Sequence, residues 1–315
     1  METLRRLPEF LERGHRVTLI SDSPFHYYSG MGPGMLGGMY DPSELRFDVR
    51  QRVEKAGALF QEDTAVGIDP DKRTVRLASG TSVHYDIVSF CIGSDVGSTV
   101  PGAEEQSVFT VKPIINLLEA RKRIGELQQN GGPIRIVVMG AGAAGVETAA
   151  NCWRIAKILD RPPRILLATG GAILPRFPNR ARRLALRSLR RRGIEVRENT
   201  LIENLAGGLA RTSGGKTVPC DVAFVATGVT PPKLFRDGGL PTDREGALMV
   251  THQLRSAKYP NVFGGGDCIS IQDEKLEKVG VHAVMEAPIL THNLLAALDG
   301  KELRSYRPRR QYMLI

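Results

Sequence analysis

Gly140, Gly142 and Gly145 fall in the spacing Gly-x-Gly-x-x-Gly, directly after the apolar run Ile134-Arg-Ile-Val-Val-Met139 and directly before a helix-like stretch, 146–158. A strand that turns into a helix in this way aims free backbone N–H groups and the positive end of the helix at one point, which is the chemistry of pyrophosphate binding. In that role Gly140 permits the tight turn, Gly142 lets the backbone approach the phosphates, and Gly145 lets the helix lie close on the strand. A dinucleotide held there presents its adenosine ribose to the end of the next strand, where an acid about 20 residues on binds a 2′-hydroxyl. Here that strand end reads Ala168-Thr169-Gly170-Gly171, without an acid, and Arg176, Arg180, Arg182 and Arg183 follow, which suit a 2′-phosphate. NAD and NADP both remain open.

The elements that must position these residues alternate strand and helix. Arg164-Ile-Leu-Leu-Ala168 is the next strand, an arginine-rich helix opened by Asn179 and closed by Gly193 follows, and Ile194-Glu-Val196 is a third strand. Val222-Ala-Phe-Val225 then runs into Ala226-Thr-Gly228. This βαβ order predicts a parallel sheet. Upstream, residues 4–13 read as a helix stopped by Gly14, with a strand at Val17-Thr-Leu-Ile20, and the Gly/Pro/Met-rich stretch 29–38 reads as a loop that approaches something closely. Short strands alternate over 58–90, with Ser79-Gly80 as a turn. The last third carries Asn261-Val-Phe-Gly-Gly-Gly-Asp267 and then a helix from about His282 to Leu298.

Composition narrows the class. With 315 residues, 42% hydrophobic and 24% charged, the chain is long enough for two domains with real cores. Its 34 glycines cluster where strands hand over to helices, so the expected class is α/β rather than fibrous or disordered. No apolar run reaches the length of about 18 residues that a membrane-spanning helix needs, and the N-terminus lacks the apolar core of a secretory signal. The expected place is the cytoplasm, with at most a peripheral contact to the membrane face. Cys91, Cys152, Cys220 and Cys268 lie far apart, so neither a Cys-x-x-Cys redox pair nor a metal site is expected. The net charge of +9 is concentrated from 175 to 193, where eight arginines and no acid occur. A solvated helix face, an anionic lipid surface and a cofactor phosphate all fit that run, and the lack of interleaved aromatic residues argues against nucleic acid.

Taken together, the glycine turn, the strand-ending segments Phe90-Cys-Ile-Gly93-Ser and Ala226-Thr-Gly228, and Gly265-Gly-Asp267 resemble the pyridine nucleotide-disulfide oxidoreductase superfamily. Tyr27-Tyr-Ser-Gly-Met31, Pro33-Gly-Met-Leu36, and Glu286-Ala-Pro-Ile-Leu290 followed by Asn293-Leu are similar to the branch of type II NADH dehydrogenases and relatives associated with selenide water dikinases. The resemblance covers nearly the whole chain. It implies an α/β, three-layer fold of two Rossmann-like dinucleotide-binding domains with parallel central sheets, the NAD(P) domain inserted into the FAD domain. The corresponding boundaries are 1–112 and 233–300 for the FAD domain, 113–232 for the NAD(P) domain, and 301–315 for the beginning of a C-terminal domain.

The resemblance also implies roles. Asp267 holds the ribityl or pyrophosphate part of FAD, Glu147 lies beside nicotinamide and flavin, and backbone N–H groups near His282 and Ala283 face the pyrimidine edge of the flavin. The acid for the FAD ribose falls at Ser21 or Asp22, with Asp22 taken, and Ala65, Gly93 and Gly228 complete the expected cofactor contacts. The implied reaction moves hydride from NAD(P)H to FAD and electrons on to a quinone or another small acceptor, in a protein that pairs as a homodimer. One rival is a non-catalytic remnant that binds NAD(P) without FAD. Another is a sulfide:quinone reductase-like flavoprotein, for which Cys152 or Cys268 has to supply a reactive thiol. Relative to the family, the chain opens inside the helix that follows a first strand and glycine turn, and it stops at Tyr312-Met-Leu-Ile315, where a further domain begins. The expectation is either an incomplete reading of a longer gene or a protein with weakened flavin binding.

Overall fold

The computed structural model describes all residues except 98–99, 103–104, 106, 128–132, 161–162, 277 and 309–315. The chain divides into two compact units, of which the first is Met1–His26, Phe47–Asp95 and Thr230–Ile315 and the second Tyr27–Arg46 with Val96–Val229. In sequence, the second unit therefore interrupts the first. The mixed α/β class with parallel sheets is as expected.

The second unit is built on five parallel strands in the order Glu195–Arg197, Arg164–Ala168, Arg135–Met139, Val222–Val225, Val108–Thr110. Parallel crossovers place helices on the sheet faces, which is why the inner strands are unbroken apolar runs: Ile136, Val137, Val138 and Met139 are all buried, as are Val222 to Val225. The Ala143–Ile158 helix follows the central strand and buries Gly145, Thr148, Ala149, Cys152, Ile155 and Ala156, the three-and-four spacing of one helix face. Ile115–Leu127 buries Leu117, Ala120 and Ile124 in the same way. An antiparallel sheet of Ile202–Ala206, Leu209–Thr212 and Thr217–Pro219 precedes the Val222–Val225 strand.

The stretch read as a loop over 29–38 is instead a 3-10 turn, Ser29–Met31, and a short helix, Gly32–Leu36, with Met35 and Leu36 fully buried. Pro33 sits in the first turn, where its fixed φ suits a helix and its missing N–H costs nothing. The glycines serve packing. A Cβ on Gly32 would press on Ile114 at 2.8 Å, and one on Gly37 would overlap the Asn151 side-chain oxygen. Arg121 Nη1 donates to the Met35 carbonyl at 3.0 Å, and Arg154 Nε to that of Gly37 at 3.2 Å. What this segment approaches closely is protein, namely the Ile115–Leu127 and Ala143–Ile158 helices.

In the first unit, Thr18–Ser21 runs parallel to Leu59–Glu62, Val88–Phe90 to Val262–Gly264, and Leu248–Val250 to Ile269–Ile271. Ala65–Asp69, Thr74–Leu77 and Ser82–His84 form an antiparallel sheet. The core gathers around Phe90 and Phe235, whose rings meet edge to face at 5.2 Å between centroids, together with Phe263, Leu248 and Leu290. The helix expected over 4–13 is two pieces, Glu2–Arg5 and Leu7–Glu12, broken before Pro8, and Gly14 closes them with φ +81°. Residues 301–308 carry no regular element, and the rest of the expected C-terminal start, including Tyr312 to Ile315, lies outside the described residues.

Candidate dinucleotide-binding sites

The second unit presents the glycine turn at the end of its central strand. Gly140 has φ +96°, a conformation costly for any residue with a Cβ, and a Cβ there would also strike the Ala226 carbonyl oxygen. Its N–H donates to the Ala168 carbonyl at 2.8 Å, while the Ala141 carbonyl accepts the Leu174 N–H at 2.8 Å, so the end of the Arg164–Ala168 strand and the segment after it hold the turn. Gly142 is the N-cap of the Ala143–Ile158 helix and no side chain caps it. It is exposed, and a Cβ built on it meets nothing within 4 Å. The turn thus offers an open backbone edge, beside uncapped helix N–H groups, where a pyrophosphate fits. Gly228, at the end of the adjacent Val222–Val225 strand, has φ +122° and is likewise open.

Glu147 is the fifth residue of that helix, one turn further in than a dipole-stabilised first-turn acid. Its side chain reaches solvent, yet the surrounding protein desolvates the carboxyl enough to raise its pKa above the ordinary value. Arg182, one of four arginines considered for a 2′-phosphate, is already engaged: it donates to Glu198 Oε1 at 2.6 Å. The same oxygen accepts the Ile173 N–H at 2.8 Å, and these two contacts, the backbone one first, hold the Glu198 carboxyl below its ordinary pKa. Arg192 lies over the Trp153 ring at 5.1 Å. Arg176, Arg180 and Arg183 are exposed.

The first unit gathers a second group of expected residues. Gly265-Gly266-Asp267 follows the Val262–Gly264 strand, and the Gly265 N–H donates to the Phe90 carbonyl at 3.0 Å. Ser94 Oγ, next to Gly93 at the end of the Val88–Phe90 strand, donates to Asp267 Oδ2 at 3.3 Å. Gly266 has φ +76°, and a Cβ on it would touch the Ala283 Cβ at 3.3 Å. Gly93, Asp267 and Ala283 are therefore brought to one place. None of these bonds reaches Asp22, which is exposed just after Thr18–Ser21, or Ala65, which pairs with Leu77.

The long helix begins at Gly280, two residues before the expected His282. Among the described residues, the N–H groups of Gly280 and Val281 meet no acceptor, whereas the His282 N–H donates to the Val279 carbonyl at 3.1 Å and Ala283 stands at the fourth helical position. The His282 ring is buried, with Nδ1 3.4 Å from the Tyr306 hydroxyl. A residue that sequence reasoning gave no role completes the cluster: Glu286, 3% exposed, accepts the Gly266 N–H on Oε2 at 2.6 Å. Among the described residues, no group of three or more His, Cys, Asp or Glu is placed to hold a metal ion, and no helix is long and apolar enough to cross a membrane.

A family model described as pyridine nucleotide-disulphide oxidoreductase matches residues 1–287. The chain belongs to this family. FAD and a pyridine nucleotide are its cofactors. Among relatives of this oxidoreductase, ferroptosis suppressor protein 1 of Taeniopygia guttata is 28% identical over 266 residues, covering 80% of this chain and 67% of that one. An alternative NAD(P)H-ubiquinone oxidoreductase C1 of Arabidopsis thaliana is 25% identical over 332 residues, covering 93% and 63%. The chain thus spans about two thirds of the length of these relatives. Among solved structures, the ferredoxin reductase for the CYP199A2 system of Rhodopseudomonas palustris superposes with a TM-score of 0.79 at 22% identity, covering 97% of this chain and 76% of that one. That likeness concerns the fold.

Proposed function

We propose that the protein is an FAD-dependent NAD(P)H oxidoreductase that passes electrons from a nicotinamide, by way of the flavin, to a quinone. The observation that carries the reading is the pair of strand-end turns, one in each unit: Gly140–Gly145 with its open Gly142 edge, and Gly265-Gly266-Asp267 tied to Ser94 and Glu286. The quinone is named on the strength of a relative called an NAD(P)H-ubiquinone oxidoreductase.

When bound, the flavin supplies hydride acceptance and the release of electrons one or two at a time. The chain's own residues bind and orient. The Gly142 edge and the first turn of Ala143–Ile158 take the nicotinamide dinucleotide's pyrophosphate. Glu147, shifted toward its neutral form, offers a hydrogen-bonding carboxyl one turn beyond that site. Asp267 would accept hydroxyl donors of the flavin's ribityl chain, and the N–H groups of Gly280 and Val281 would donate to the same cofactor.

A sulfide-oxidising reading needs a reactive thiolate. Cys152 and Cys268 are both fully buried, and burial raises both thiols, that of Cys268 to about 12. Neither is a nucleophile at neutral pH. Purified protein tests the proposal: visible flavin bands that bleach anaerobically with NADH or NADPH, and recover on adding a soluble quinone, support it. A colourless protein that still binds NADH defeats it in favour of a non-catalytic nucleotide binder.

A further inference from the structure

Glu286 stands two turns inside the Gly280–Leu298 helix and reaches back to the turn that precedes it in the chain by 20 residues. A carboxylate taken out of water is costly unless a donor meets it. The donor here is a backbone N–H, that of Gly266 at 2.6 Å, rather than a guanidinium or ammonium. A Cβ added to Gly266 would meet the Ala283 methyl at 3.3 Å, and the next residue is Asp267, whose Oδ2 accepts Ser94 Oγ. The helix and the turn are therefore fastened through one carboxyl group.

The charged and titratable groups around Glu286 come from each element that packs on it. Asp267 lies on the turn and opposes its charge, and Lys278, whose Nζ donates to the Ile269 carbonyl, favours it. Cys91 follows the Val88–Phe90 strand and Cys268 follows Asp267, both protonated thiols at neutral pH. His282 is one turn back on the same helix, occupied with Tyr306. The Glu2–Arg5 helix meets the long helix further on, through Thr3 and Thr291 at 2.9 Å.

We propose that Glu286 is the positioning residue of the Gly265-Gly266-Asp267 turn: its carboxylate clamps Gly266, so places the Asp267 side chain for the flavin's hydroxyls, and protonating it loosens the clamp. The inference rests on the flavin role proposed above. Burial holds the Glu286 carboxyl up at about 7, which puts the switch in the physiological range.

Two measurements on the full chain test it, each in wild type, Glu286→Gln and Glu286→Leu. The first is the protection of the Gly266 amide against hydrogen exchange, corrected for intrinsic rates, between pH 5.5 and 8.5, roughly one and a half units to either side of a neutral transition. The second is FAD retention after gel filtration, with NADH binding to the second unit as the control for folding. In wild type, Gly266 protection falls as pH drops through the transition. Glu286→Gln keeps an acceptor oxygen and loses the pH response. Glu286→Leu lowers Gly266 protection and FAD affinity by roughly tenfold to a hundredfold, the loss of one charge-assisted hydrogen bond, while NADH binding holds. A Gly266 amide indifferent to pH and to Glu286→Leu overturns the clamp even if FAD binds. A Gly266 amide that responds as described in a protein that takes no FAD upholds the clamp and overturns the flavin reading instead.

Discussion

Gly145 lies so close under Gly140 that a Cβ added to Gly145 would drive into the Gly140 carbonyl oxygen. Gly142, between them, has an ordinary φ of −69° and open space where its Cβ would be. The two positions therefore separate folding from binding. Gly145→Ala forces the helix off the strand and is expected to cost about 1–3 kcal/mol or more, read as a lower melting temperature. Gly142→Val leaves the fold alone and fills the approach of the pyrophosphate, so NADH affinity falls by at least about a hundredfold while flavin content is unchanged. Equal loss of both cofactors in Gly142→Val would sink the two-site reading.

The arginine helix separates in the same way. Arg180 and Arg183 are exposed, whereas Arg182 shares Glu198 with the Ile173 N–H and so ties the helix to the segment before it. If the helix meets a 2′-phosphate, Arg180→Gln with Arg183→Gln weakens NADPH and spares NADH in a titration at low salt. Arg182→Gln instead lowers stability, by up to about 1 kcal/mol for a half-exposed pair, and affects both nucleotides alike. Unchanged NADPH affinity in the Arg180/Arg183 double variant would make the face a solvated or membrane-facing surface.

The parts that sequence alone made legible are those set by local pattern. Arg164–Ala168 and Val222–Val225 match their predicted bounds to the residue, because an apolar run buried on both faces has nowhere else to go. The Gly32–Leu36 helix was not legible: Pro33 and Gly34 are poor helix formers, and contacts with Ile114, Leu117 and Asn151 decide the matter. The Val49–Lys55 helix had a signal in Asp48, whose side chain caps the Gln51 N–H at 2.8 Å, and Ile115–Leu127 had one in the spacing of Leu117, Ala120 and Ile124. For Glu198 and Glu286 no local signal existed, since each works on a backbone N–H brought near only by the fold.

Glu286 also makes stability depend on pH. Its carboxyl is raised from 4.5 to about 7, chiefly by burial, so the folded state binds more protons than the unfolded one between those values. The sign follows: the contribution is fully present below about pH 4.5 and is lost as pH rises through about 7. Melting temperatures should show a component that declines across this window in wild type and is absent in Glu286→Gln. A Glu286→Gln profile that keeps the same slope would show that another group is responsible.

Two parallel strand pairs of the first unit keep an unpaired edge among the described residues. In the second unit, Arg135–Met139 lies between Arg164–Ala168 and Val222–Val225, with Glu195–Arg197 outermost and an antiparallel three-stranded sheet before Val222. In the first, Thr18–Ser21 pairs with Leu59–Glu62, the antiparallel sheet Ala65 to His84 follows, and Val88–Phe90 comes after it. Among the described residues, no strand pairs with the second edge of Thr18–Ser21 or of Val88–Phe90. Both strands are correspondingly less buried than their counterparts: Leu19, Ile20 and Val88 are half-buried where Leu167 and Val222 are fully buried. Such edges are sites for pairing with a further strand, and for aggregation if left open. We therefore predict that a parallel apolar strand ending in a Gly-x-Gly-x-x-Gly turn, supplied as a peptide, raises solubility, melting temperature and flavin content together. The turn would add two or three charge-assisted N–H contacts to the flavin's phosphates, each worth about 1.5–3 kcal/mol, so FAD affinity should rise by at least about a hundredfold. Stoichiometric, tightly held FAD on the 315-residue chain alone, with no gain from the added strand, would show the reasoning to be wrong.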